Sequence, residues 1–161
     1  MGNNVRVGIG YDIHRLVSDR PLILGGVRID HDRGLLGHSD GDAVLHALID
    51  AMLGAAALGD IGELFPDTDA RFRDVDSKIL VADVVERVRG AGFAAGNVDV
   101  VIHAERPNLS PYKQALRESV GALVGLPVER VNVKAKTNEG LGPVGDRSAI
   151  ACTAVVTLLG V

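Results

Sequence analysis

Val5-Arg6-Val7-Gly8-Ile9-Gly10-Tyr11-Asp12-Ile13-His14 opens the readable part of the chain. Val5, Val7 and Ile9 alternate with Arg6, Gly8 and Gly10, the period of a β-strand, over Val5 to Tyr11. At about 3.3 Å per residue, Asp12 and His14 at the strand's end point to the same side, roughly 7 Å apart. Two ligand-type side chains from one strand can meet one ion. His46 lies in a different pattern. After the turn residues Ser39 to Asp42, the dense apolar run Ala43 to Leu53 contains no proline and reads as a mostly buried helix from about Asp42 to Leu58. One carboxylate and two imidazoles suit zinc, and a set of three protein ligands leaves the fourth tetrahedral position open for substrate. Asp50, four residues after His46, shares its helical face and can accept the second imidazole N–H. The same spacing is met by an ordinary strand-end pair and a core histidine bonded to Asp50, because sequence does not show that strand and helix converge.

Outward from these segments the pattern continues as an α+β layer. Leu22 to Ile29 reads as a strand broken at Gly25-Gly26. Gly59 to Gly62 and Phe65 to Asp69 form a long loop, since glycine and proline stop the helix. Ser77 is the expected N-cap of a helix with Ile79, Leu80, Val84 and Val88 inward, closed by Gly90-Ala91-Gly92. Val98 to His103 is a strand. Ser110-Pro111 reads as a cap and first helical proline, opening a helix with Leu116, Val120 and Leu123 inward and Gly125 at its end. Val131 to Lys136 is a strand with one wet or site-lining face, and Ala149 to Leu159 is the last and most buried strand. The order ββααβαββ predicts one domain over residues 1–161, with helices on one face of a mainly four-stranded sheet.

Composition narrows the function. A net charge of −4 without a basic run argues against a nucleic-acid partner. Cys152 stands alone within an apolar run, which excludes an internal disulfide and fits a reducing compartment. Met1-Gly2-Asn3-Asn4 shows no signal or transit pattern, Arg6 breaks a myristoylation motif, and no apolar stretch is long enough to span a bilayer. The chain is therefore expected to be cytoplasmic, without a membrane partner. Aromatic residues make up only 3%, so the core is aliphatic, and the apolar final strand fits either a face covered by another subunit or the tightly packed core of a monomer.

The motifs taken in order are Gly10-Tyr11-Asp12-Ile13-His14, Gly34-Leu35-Leu36-Gly37-His38-Ser39-Asp40-Gly41-Asp42, His46-Ala47, Gly54 to Gly62, Phe65-Pro66-Asp67-Thr68-Asp69, Gly96 to Asp99, and Val131 to Glu139. As an ordered set they resemble the 2-C-methyl-D-erythritol 2,4-cyclodiphosphate synthases of the non-mevalonate isoprenoid pathway, across Val5 to Gly142. The resemblance implies a homotrimer with active sites between subunits. It implies a phosphorus-oxygen lyase that converts 4-diphosphocytidyl-2-C-methyl-D-erythritol 2-phosphate to the cyclic diphosphate and cytidine monophosphate. It implies zinc on Asp12, His14 and His46, and a second divalent cation, magnesium or manganese, on Glu139 and the substrate phosphates.

By the same resemblance, His38 and Ser39 hydrogen-bond phosphates, and His38 and Thr137 stabilise the transition state. Asp60, Ile61, Gly62 and Phe65, Pro66, Asp67, Thr68 and Asp69 hold the methylerythritol hydroxyls. Ala104, Pro107 and Ser110, with Ala135, Lys136, Thr137, Asn138 and Glu139, form the cytidine pocket. The chain departs from the pattern at Pro143 to Ser148, where the family commonly has a Thr-Gly-Arg-Gly-Glu-Gly run near the trimer axis, and at Asn108, where a lysine is usual. A zinc phosphoesterase and a catalytically silent nucleotide-binding module are the competing readings.

Overall fold

β1 (Val5–Ser18) is longer than its alternating pattern predicts, so Asp12 and His14 sit inside the strand rather than at its end. The computed structural model describes residues 4–161, and the expectations for Met1 to Asn3 lie outside the described residues. Antiparallel pairing carries the strand past Tyr11: Val5 lies opposite Leu159 and Arg15 opposite Ala149 of β7 (Ala149–Gly160), and Leu16 pairs with Leu35 of β4 (Arg33–Leu35). The sheet order is β4-β1-β7-β5-β6, with β5 (Phe93–His103) and β6 (Val131–Lys136) parallel. Four long or medium strands thus carry a fifth, three-residue strand at one edge. Leu22 to Ile29 is not one broken strand but a hairpin, β2 (Leu22–Leu24) and β3 (Val27–Ile29), turning at Gly25-Gly26 with φ of +58° and +75°. Those angles favour glycine. The Asp42 carboxylate accepts from both glycine N–H groups, at 2.8 and 2.7 Å, and ties the hairpin to α1 (Ala43–Ala56).

The alternation in β1 is inverted relative to an ordinary half-buried strand. Gly8 and Gly10 face the helices, while Val7 and Ile9 are 65% and 69% exposed on the opposite face. The reason is α1. A Cβ at Gly8 or Gly10 would overlap the backbone carbonyls of Ala51 and Ala47, so glycine on the strand and alanine on the helix bring the two backbones together. α1 packs on β1 and β7, α3 (Ser77–Gly90) touches β5, and α4 (Lys113–Val124) covers β6. One face of the sheet is therefore covered. Its core includes Leu45, Leu48, Ile49, Ile102, Ile150 and Leu158, all buried.

Four local expectations are corrected. Asp76, not Ser77, caps α3, its side chain accepting from Lys78 N–H at 2.9 Å, and Ser77 becomes the first helical residue. That register turns Ile79 outward at 63% exposure and buries Leu80, Val81, Val84 and Val88. Ser110 makes no capping bond: Ser110–Tyr112 is a 3₁₀ turn and α4 starts at Lys113. The long loop after α1 holds a one-turn helix, α2 (Ile61–Leu64), capped by Asp60.

Candidate metal centre and two pockets

The inward row of β1 runs Gly8, Gly10, Asp12, His14, so the glycines that admit α1 also aim the next two side chains at it. His46 lies one residue before Ala47, where the backbones are closest. Strand and helix converge as a result: Asp12 Oδ2 is 2.7 Å from His14 Nε2 and 3.1 Å from His46 Nδ1, and the two imidazole nitrogens are 3.2 Å apart. Among the described residues, Asp12, His14 and His46 form a group able to hold one metal ion.

The donor set fits zinc. Bonds of about 2.0–2.2 Å at tetrahedral angles separate ligand atoms by roughly 3.3 Å, so the three atoms need to move apart only by tenths of an ångström. The outer partners orient the lone pairs inward. His14 Nδ1 donates to the Leu36 carbonyl at 2.7 Å, which leaves Nε2 facing the cluster. His46 Nε2 meets the hydroxyls of Ser77 at 2.9 Å and Ser39 at 3.0 Å, which leaves Nδ1 for the ion.

Electrostatics favours a cation here. Burial raises the Asp12 pKa, but hydrogen bonds and charge attraction from His14 and His46 outweigh it and lower the value to about 2. Burial depresses His14, yet Asp12 and the Leu36 carbonyl prevail and raise it above its ordinary value. Asp50 does not serve His46: its carboxylate accepts from Ile61 N–H at 2.8 Å and anchors α2 instead. The hydroxyls of Ser77 and Ser39 take the position that spacing assigned to Asp50, because the start of α3 reaches His46 from the side.

A cavity of about 390 Å³ opens beside this cluster, lined by His14, His38, Ser39, His46, Ile61, Gly62, Phe65, Pro66 and Asp67, with Phe72 and Leu80. The structure thus gathers both predicted polyol-binding loops onto the metal group. Asp60 and Thr68 flank the lining, and Asp69 is held by Arg71 while its carbonyl lies 3.2 Å from His38 Nε2. Phe72, Leu80, Asp40 and Ser77 were not assigned to the site by sequence. For Ser77 the signal is the pair Asp76-Ser77, two good caps side by side, of which only one is needed at the helix end.

Ala104, Pro107, Ser110, Ala135, Lys136 and Thr137 line a second cavity of about 360 Å³, with Arg106 and Arg147 adding positive charge. Asn138 and Glu139 follow it in the loop after β6 and are not part of the lining. Thr137 Oγ1 and Glu139 Oε1 are 3.4 Å apart. Asp12 lies level with Cys152, Ile102 and Ala135 across the sheet, so the two cavities share one end and stand three strands apart, roughly 14 Å. Glu139 therefore does not join the Asp12, His14 and His46 group within the chain.

A sheet covered on one face, with an open three-ligand metal group beside a cavity of mixed polar and apolar lining, defines a metal-dependent enzyme of the mixed α/β class. The family model described as the YgbB family matches residues 5–159. Two relatives named 2-C-methyl-D-erythritol 2,4-cyclodiphosphate synthase, from Gloeobacter violaceus and Chromobacterium violaceum, are 56% and 57% identical over 98% and 95% of this chain and 96% and 97% of theirs. A solved structure of IspF from Plasmodium falciparum in complex with CDP superposes with TM-score 0.86 at 32% identity, covering 99% of each chain. The bifunctional IspDF from Campylobacter jejuni gives TM-score 0.95 at 41% identity over 99% of this chain and 43% of that one. The chain belongs to the YgbB family.

Proposed function

We propose that this protein is a 2-C-methyl-D-erythritol 2,4-cyclodiphosphate synthase, closing 4-diphosphocytidyl-2-C-methyl-D-erythritol 2-phosphate into the cyclic diphosphate with release of cytidine monophosphate. The observation that carries the proposal is the convergence of Asp12, His14 and His46 on one point at the wall of a cavity. In the reaction the 2-phosphate oxygen bonds to the β-phosphorus as the bond from that phosphorus to the α-phosphate oxygen breaks. Zinc on Asp12, His14 and His46, and magnesium or manganese on Glu139 and the phosphates, would supply Lewis-acid grip and charge neutralisation.

The chain's own residues orient and enclose. His38 and Ser39 at the cavity wall donate hydrogen bonds to phosphate oxygens, and Thr137 does so from the neighbouring half-site; phosphoryl transfer gains most from such positioning. Asp60 to Gly62 and Phe65 to Asp69 bind the diol hydroxyls. Phe65 and Phe72, edge to face with centroids 5.3 Å apart, line the cavity with apolar surface, which favours attack by the tethered phosphate over water. Backbone groups of Ala104 to Ser110 and of Ala135 to Glu139 read the cytosine, and Lys136 balances the leaving phosphate.

The reading includes a homotrimer of one-domain subunits. Two half-sites three strands apart, and a sheet face on which Val7, Ile9 and Tyr11 are exposed, support active sites completed by a neighbour. Among the described residues no helix is long and apolar enough to cross a membrane. The test is to incubate the zinc- and magnesium-supplemented protein with the cytidylated 2-phosphate and follow products by phosphorus NMR. Equimolar cyclic diphosphate and cytidine monophosphate are expected; hydrolysed, uncyclised phosphates would overturn the proposal.

A further inference from the structure

His46 has two nitrogens and two possible neutral tautomers. With the proton on Nδ1, it would hydrogen-bond Asp12 Oδ2, 3.1 Å away, and close the metal group to an ion. With the proton on Nε2, it donates to the serine hydroxyls and leaves Nδ1 as a lone pair facing Asp12 and His14. What decides between these lies one shell further out. The Ser77 hydroxyl is 2.5 Å from Asp40 Oδ1, and Asp40 Oδ2 also accepts from Ser77 N–H at 3.0 Å. An ionised carboxylate has no proton to give, so the Ser77 hydroxyl must donate to it. Ser77 Oγ is then the acceptor for His46 Nε2–H at 2.9 Å, with the Ser39 oxygen 3.4 Å away on its other side. The Ser77 proton therefore has one place, on Asp40. Ser77 is fully buried, so water does not offer a competing arrangement.

We propose that Asp40 and Ser77 are positioning residues for the metal centre: the Asp40 carboxylate, acting through the Ser77 hydroxyl, holds His46 in the Nε2-protonated tautomer and keeps Nδ1 free to bind zinc. The inference rests on the metal reading of Asp12, His14 and His46. The link also joins three parts of the chain, since Asp40 belongs to the loop before α1, Ser77 opens α3 and His46 rides on α1. Asp40 is fixed in turn by accepting from Asp42 N–H at 3.1 Å. Its own backbone N–H donates to the Val75 carbonyl at 3.2 Å, so the segment before α3 and the loop before α1 are pinned to each other at this point.

Two variants test it. Asp40→Asn replaces one carboxylate oxygen by an N–H₂ donor, which lets Ser77 accept from residue 40 and donate to His46 Nε2. Ser77→Ala removes the link and leaves Ser39 as the remaining neighbour of Nε2. Nitrogen-15 shifts of His46 in the metal-free protein report the tautomer. Zinc affinity is read separately by competition with a chromophoric chelator, on variants whose near-UV circular dichroism matches the parent. Wild type is expected to show Nε2–H, Asp40→Asn to move population to Nδ1–H, and both variants to bind zinc on the order of 10–100-fold more weakly, as loss of an outer-shell partner does. An unchanged tautomer together with zinc affinity within twofold of the parent would overturn the proposal. A tautomer shift in Asp40→Asn, beside a wild type that takes up no zinc, would leave the hydrogen-bond link standing and sink the metal reading instead.

Discussion

Gly10→Ala is expected to damage the fold and the metal centre together. A Cβ at residue 10 falls within 2.8 Å of both the Ala47 carbonyl carbon and the Ala51 nitrogen, and closer still to the Ala47 oxygen. Neither neighbour is a side-chain end that can swing away; both are the backbone of α1. Restoring ordinary contact requires the helix to lift by roughly 1.5 Å, at the upper end of the ~1–3 kcal/mol typical of overpacking. At about 2–4 °C per kcal/mol for a chain of this size, Tm falls by roughly 6–12 °C. Since His46 is next to Ala47, the same lift carries Nδ1 out of its 3.1 Å contact with Asp12. Thermal unfolding and chelator competition on one preparation measure both effects. Gly54→Ala is the control: nothing lies within 4 Å of a Cβ there, and alanine in a helix interior should add about 0.5–1 kcal/mol. A Gly10→Ala protein that melts within 2 °C of the parent and binds zinc normally would refute the argument that glycine sets the strand-to-helix distance.

Burial and the neighbouring Asp40 charge push Asp42 up to about 6 against the pull of three backbone N–H donors. The folded state therefore binds this proton more tightly than the unfolded state; the contribution is fully present below the unfolded value of 3.8 and is lost as pH rises through 6. At 1.36 kcal/mol per unit, about 3 kcal/mol is at stake, and urea unfolding of wild type and Asp42→Asn from pH 4 to 7 should show curves that change separation; parallel curves count against it. Arg147 holds φ of +66°, so Arg147→Gly should raise stability by about 1 kcal/mol, and a loss in denaturant midpoint would contradict the strain. If the proposed trimer docks through the uncovered face, Ile9→Asp should yield smaller particles in sedimentation while circular dichroism stays unchanged; an unaltered sedimentation coefficient would count against that face as the trimer contact.

Legibility followed the range of the interactions. The helix of His46 and the strands around Val100, Val133 and Val156 could be read because periodicity is local. The length of β1 could not, since Asp12, Ile13, His14 and Arg15 become strand only by pairing with β7. The direction of its alternation was hidden for a related reason: apolar residues normally mark the inward face, and here close approach of α1 gives that face to glycine. The three ligand types were visible in sequence, whereas their convergence depended on the Gly10 to Ala47 contact. Asp50 was the natural outer partner by helical spacing, and lost that place to Ser77, which is 31 residues away from His46. The distance between the metal cavity and Glu139 is likewise a product of strand order, which local pattern does not encode.

Under the trimer proposed above, the uncovered side of the sheet also governs how the protein responds to dilution. Any surface that docks there binds the folded chain and not the unfolded one, so it adds RT ln(1 + [L]/Kd) to stability, about 2.7 kcal/mol at a hundredfold excess over Kd. When the docking surface is another copy, that increment depends on how many copies exist. Abundance then acts as a stabiliser, and a chain made sparingly lives nearer to unfolding than the identical chain made in quantity.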